Sequence, residues 1–212
     1  MAHLKQQNRK QIIIYAAANF LAFSWVLGGG AFPQDWEGRI GAASTSAVVT
    51  GLITLVQLIY SGILGDKLKS AIVFWRFTNP LPGCRAFTEI APSDPRIDYV
   101  RLKARIGDLP IEPEEQNRVW YRLYRQHENQ TSVRDAHGNY LLARELACLS
   151  LAFALIFPVL AFVLGTNVTI AMLYAGVMLA VYLLIAYSGC NYGRRFVANV
   201  LAIEGAISEP AK

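Results

Sequence analysis

The chain has 212 residues, 54% of them hydrophobic and 17% charged, with a formal net charge of +5. So low a charge content, against roughly one quarter in soluble domains, and the gathering of apolar residues into long blocks exclude an ordinary water-soluble globule. The cation excess gives no reason to expect nucleic acid as a partner, because much of it collects beside the apolar blocks, where it reports membrane topology.

In chain order, the amino-terminal tail carries Lys5, Arg9 and Lys10 and no acid. Four blocks without Asp, Glu, Lys, Arg or His follow: Gln11 to Phe32, Ile40 to Leu64, Leu146 to Leu164 and Val168 to Ser188. A hydrocarbon core about 30 Å thick takes roughly 20 helical residues, so each block predicts one span. The first is too long for the apolar region of a signal peptide and has no convincing small-residue cleavage site, so it is expected to stay as a span. The connection Pro33 to Arg39 sets one cation against Asp35 and Glu37, and Gly165 to Asn167 is uncharged. Gly65 to Glu145, by contrast, is 81 residues long and holds 13 basic and 11 acidic residues, with Lys67, Lys69 and Arg144 near its ends. Arg194 and Arg195 open the carboxyl tail. Cations at span ends mark the cytoplasmic face, which puts the insert and both termini inside.

The expected protein is an all-α, multi-pass protein of a bacterial inner membrane. Residues 1–64 give the tail and transmembrane helices one and two, 65–145 a small, mainly helical cytosolic insert, and 146–212 transmembrane helices three and four with a cytosolic tail. In the second span, Ser46, Thr50, Thr54, Gln57 and Ser61 recur at helical spacing and draw one polar stripe. Ala43, Ala47 and Gly51 form a small-residue ridge beside it. The stripe suits hydrogen-bonded helix packing in a homo-oligomer, or a water-lined pore.

Helix two has no breaker after Leu64 and is expected to continue through Asp66, Lys67, Lys69 and Ile72. It then brings Trp75, Arg76 and Phe77 to headgroup level; with Arg194 and Arg195 these are the predicted interface anchors. Asn79 before Pro80, then Pro82-Gly83, turns the chain. A helix over SDPRIDYVRLKARIG is predicted with Asp94 as cap, Pro95 at its first position and Gly107 at its end, although Val100, Leu102, Ala104 and Ile106 also alternate as a strand would. PEEQNRVWYRLYRQH predicts an amphipathic helix with Val119, Trp120, Leu123 and Tyr124 on one face and Arg118, Arg122 and Arg125 on another. Ser132 to Asp135 has capping-box spacing and opens a helix expected to run unbroken into span three. Gly189 and Gly193 suit a close helix contact.

Cys84, Cys148, Cys190, His3, His127 and His137 have no metal-ligand spacing, so no metal is expected. No catalytic or cofactor-binding residues are recognisable, and the spans lack the ionisable groups of ion-coupled carriers. The row Arg118, Arg122 and Arg125 suits either a solvated face or the docking of an acidic partner protein or a phosphorylated ligand. Arg76 and Arg85 offer a second anionic clamp, with fewer cations than polybasic lipid sites usually have. The expected function is that of a non-enzymatic membrane protein which self-associates through its spans and senses or docks a partner through its insert. The alternative is a pore-forming effector gated through that insert; its layout resembles, in organisation alone, that of some bacterial pore-forming defence effectors.

Overall fold

A computed structural model describes residues 2–27, 64–165 and 167–207. Its helices are α1 (Ala2–Leu27), α2 (Asp66–Phe74), α3 (Tyr99–Ile106), α4 (Pro113–His127), α5 (Thr131–Val163) and α6 (Val168–Ala206). Between α2 and α3 come a 3-10 turn (Pro82–Arg85), a π turn (Ala86–Ile90) and one α turn (Ala91–Ser93). The protein is all-helical, with no strand among the described residues, and α5 and α6 are long and apolar enough to cross a bilayer. Residues 28–63, and with them the second apolar block and the stripe Ser46, Thr50, Thr54, Gln57 and Ser61, lie outside the described residues.

Chain contacts divide the molecule into two compact units, one drawn from residues 1–69 and 145–185 and the other from 70–144 and 186–212. In the first, α1 buries Ile12, Ala16, Asn19 and Phe23, steps of four, three and four that define one helix face. That face meets aromatic rings. Phe23 stacks on Phe157 at 4.2 Å, Phe20 meets the same ring edge-on at 5.5 Å, and Tyr174 closes the cluster. Several of its polar groups are answered: Asn19 Nδ2 donates to the Tyr15 carbonyl, and Ser150 Oγ donates to the Leu146 carbonyl while sharing a 2.6 Å hydrogen bond with the Tyr15 hydroxyl, whereas the buried Tyr174 hydroxyl finds no partner among the described residues. Lys69, counted in the sequence as a topology cation, has a side chain only 5% exposed and holds Glu145 through both carboxylate oxygens at 2.8 and 2.9 Å. The outward positions are apolar instead: Leu21, Leu155, Val159, Phe162, Leu173, Val177 and Leu184 are all exposed. An apolar exterior of that extent needs lipid or protein against it.

The second unit also has an apolar interior, but its exterior is more polar. Phe87, Leu102, Val133, Val197 and Leu201 are fully or almost fully buried. Trp120 and Tyr124 of α4 both meet Phe196 of α6 edge-on at 5.1 Å, and His137 of α5 lies parallel to Phe196 at 4.4 Å while its Nδ1 pairs with the Tyr124 hydroxyl. Val119 is only half-buried, whereas Gln116, which the apolar-face reading passed over, is completely buried. Its Oε1 accepts from the Phe87 and Thr88 amides and the Thr88 hydroxyl, and its Nε2 donates to the Ile111 carbonyl. One amide thus satisfies the irregular turn that a regular helix would have satisfied by itself. The expected glycine contact is formed: a Cβ on Gly193 would stand 2.6 Å from Phe74 Cζ, and one on Gly189 2.9 Å from Val73 Cγ1.

Three local expectations are corrected. Leu64 and Gly65 are not helical; α2 begins at Asp66 and stops at Phe74, because Trp75 turns left-handed (φ 50°) ahead of the predicted breaker, and Asn79 does the same. The α3 cap is Asp98, whose carboxylate accepts from the Arg101 amide, because Asp94 is committed to Arg96. Gly107 does end α3, at φ 88°, where a side chain would be strained. Finally α5 starts at Thr131, one residue before the predicted box, and then runs unbroken through Gly138.

Candidate functional site

Two stretches about one hundred residues apart make the site. The turns between α2 and α3 supply Pro82, Arg85, Glu89, Ile90, Ser93, Asp94, Pro95 and Arg96, and α6 supplies Asn191, Arg194, Arg195 and Ala198 at helical spacing. With Phe74 they line an open cleft of about 710 Å³ in the second unit. Four arginines face it against two carboxylates.

Those arginines are not equivalent. Arg96 is spent: its Nε and Nη2 grip Asp94 at 2.9 and 2.7 Å, its Nη1 reaches Asn199 Oδ1 at 2.9 Å, and its amide closes an Asx turn on the same Asp94. The bidentate bond holds the Asp94 carboxyl below its ordinary value, the guanidinium hydrogen bond being the main cause. Arg85 is poorly answered. Its side chain is only 12% exposed and lies over the Phe74 ring at 5.5 Å, yet its acceptors are the Asn79 carbonyl at 3.4 Å and Glu89 at 3.5 Å. Glu89 is shared with Arg76 at 3.7 Å. Such separations are longer than good charge-assisted hydrogen bonds. Burial, followed by the charge of Arg76, pushes the Arg85 guanidinium down from its usual pKa. Arg194 and Arg195 are exposed and form no ion pair among the described residues.

Of the candidate site residues singled out in the sequence, Arg85, Arg194 and Arg195 enter the cleft. Trp75 is half-exposed, Phe77 is 86% exposed and Arg76 is half-exposed, which suits surface contact and does not place them in the cleft lining. Arg118, Arg122 and Arg125 are exposed on α4 outside the cleft; Arg125 is held by Glu128 at 2.7 Å, and the other two form no ion pair among the described residues. Glu114 and Arg118, four apart, do not pair. The three cysteines form no disulfide among the described residues; Cys148 and Cys190 donate to the Lys69 and Val73 carbonyls. No group of three or more potential metal ligands occurs among the described residues.

Arg96, Ser93 and Asn191 were missed in the sequence. Asp94-Pro-Arg96 carries a turn signal, but nothing in linear order ties it to α6. Guanidinium groups stay protonated, so the cleft offers charge and directed donors, the equipment for holding an anion. In comparison with known proteins, no family model, curated protein or solved structure matches this chain.

Proposed function

We propose that this is a non-enzymatic, multi-pass protein of a bacterial inner membrane whose cytosolic unit receives an anionic ligand or the acidic surface of a partner in the Arg85, Arg194 and Arg195 cleft. On this reading four spans, over 11–32, 40–64, 146–164 and 168–188, hold it in the bilayer with both termini inside, and the spans self-associate. The observation that carries it is the excess of guanidinium groups around one cleft in a chain whose other unit turns apolar side chains outward. The lysine and arginine bias at the span ends supports the orientation. The site moves from the α4 arginine row to the cleft, because the cleft offers concavity and a nearly buried cation as well as charge.

Reporter fusions after Asn129 and after Ile207 should both read as cytoplasmic. The full chain in phosphatidylcholine nanodiscs should bind small polyanions such as citrate or phosphate compounds in a salt-sensitive manner, and Arg194→Glu with Arg195→Glu should abolish that binding. An extracellular reading for residue 129, or undiminished capture by the double variant, overturns the assignment.

A further inference from the structure

The cleft's dimensions and donors narrow the class of anion, taking as given the anion-receiving role proposed above. A volume of about 710 Å³ lies in the range of pockets that enclose a whole small organic molecule, far more than a bare inorganic ion needs. Its lining is also divided by chemistry. Phe74, Pro82, Ile90, Pro95 and Ala198 give apolar or ring surfaces, while the cations come from Arg85 on one wall and from Arg194 and Arg195, neighbours on one helix, on the other.

Arg85 is the more telling residue. A guanidinium has five N–H donors in a planar fork, and burying them costs free energy unless acceptors are supplied. Those of Arg85 meet one carbonyl and one shared carboxylate, both at 3.4 Å or beyond. Glu89 therefore keeps a loose hold on two arginines, from a position 46% exposed, and can swing away when a stronger anion arrives. A carboxylate brings two oxygens and one charge. A phosphate monoester brings three terminal oxygens and close to two charges, enough to address guanidinium groups from both walls at once.

We propose that the cleft binds a phosphate monoester carried on an organic body, with the phosphate between Arg85, Arg194 and Arg195 and the body against Phe74, Pro82 and Ile90. Ser93 and Asn191 are the neutral groups placed to choose among such bodies. The same chemistry is presented by a soluble nucleotide or sugar phosphate and by the headgroup of phosphatidic acid.

The test uses the full chain in nanodiscs at low salt. In phosphatidylcholine discs, titration calorimetry with adenosine monophosphate and with glycerol 3-phosphate should show binding at least tenfold tighter than citrate, lost at least tenfold in Arg194→Gln with Arg195→Gln. In a second arm, discs containing phosphatidic acid should raise the unfolding temperature above that in phosphatidylglycerol discs, with the same dependence on the two arginines. Binding in the first arm alone assigns a soluble source, and an effect in the second alone assigns the lipid; either supports the proposal. Citrate binding as tightly as the phosphate compounds, with loss in the variant, overturns the phosphate class and leaves the anion-receiving role standing. Binding that survives in the glutamine variant but falls in Arg118→Glu with Arg122→Glu overturns the cleft, and no binding by any anion overturns both readings. Circular dichroism of each variant should match the parent, since all four substituted arginines are exposed.

Discussion

In the unit drawn from residues 1–69 and 145–185, Leu155, Phe162, Leu173 and Val177 point outward, while Lys69, Asn19 and Ser150 are buried. In the unit drawn from 70–144 and 186–212 the fully buried side chains include Phe87, Leu102 and Leu201, and most arginines stand outside, with Arg144 buried and Arg85 nearly so. Both are helical, and α5 and α6 contribute residues to each. The two units thus differ in what they turn outward, one apolar side chains and the other mostly polar or charged ones. The largest test of that contrast is to make the outer faces alike. Leu155→Arg and Val177→Arg, each near the middle of its predicted span, should cost about 3 kcal/mol apiece for insertion and deplete the chain from the membrane fraction. Val100→Arg, in the second unit at a site 79% exposed, should change stability by about 0.5 kcal/mol or less. Equal effects at the three sites would erase the distinction.

Buried charge sharpens the comparison at smaller scale. The first unit holds Lys69 against Glu145. The second places Glu204, 5% exposed, between His127 Nε2 at 2.7 Å and the Arg105 guanidinium at 2.9 Å, tying the end of α6 to α3 and α4. Removing one member of such a cluster strands the others, so Glu204→Ala should lower unfolding stability by about 3 kcal/mol. Glu204→Gln, which keeps one acceptor oxygen for Arg105 and turns an amide N–H towards His127 Nε2, should lose clearly less. A thermal or denaturant series on the two variants reads the difference; equal losses would mean that charge, and not hydrogen bonding, holds the cluster.

What the sequence made legible follows the same division. Uncharged runs announce themselves without help from tertiary structure, so α5 and α6 could be read as candidate spans from composition. The amphipathic period of α4 was equally plain. Boundaries drawn from hydropathy mark a change of solvent, however, and not a change of contacts, so they could not reveal that residues 186–206 of α6 pack with the polar segment. Gln116 shares a face with Trp120, Leu123 and Tyr124, and its place in that period was a usable sign of a buried polar residue. The choice between Asp94 and Asp98 as the α3 cap was not readable. Pro95 favours Asp94 locally, and only the side chain of Arg96, itself braced by Asn199, takes Asp94 away. The cleft was invisible for a related reason: its walls are separated by about one hundred positions, and neither wall alone exceeds the charge of an ordinary solvated face.

The smallest predicted effect lies in two glycines of α6 that sequence alone cannot rank. A methyl on Gly176 meets nothing within 4 Å, so Gly176→Ala should gain stability through helix propensity, by about 1 kcal/mol at most. At Gly193 the same methyl stands 2.6 Å from Phe74 Cζ and 3.2 Å from the Tyr140 ring. Phe74 is buried, with Arg85 over its face, and has little room to withdraw. Overpacking of about 1 to 3 kcal/mol then outweighs the propensity gain, and Gly193→Ala should be net destabilising. The pair should therefore shift the unfolding temperature in opposite directions in one detergent. Because Phe74 is also the floor of the cleft, Gly193→Ala should weaken anion binding as well, while Gly176→Ala leaves it unchanged. A Gly193→Ala variant that lost stability yet bound anions normally would separate the floor from the site and leave Arg194 and Arg195 to hold the ligand without Arg85.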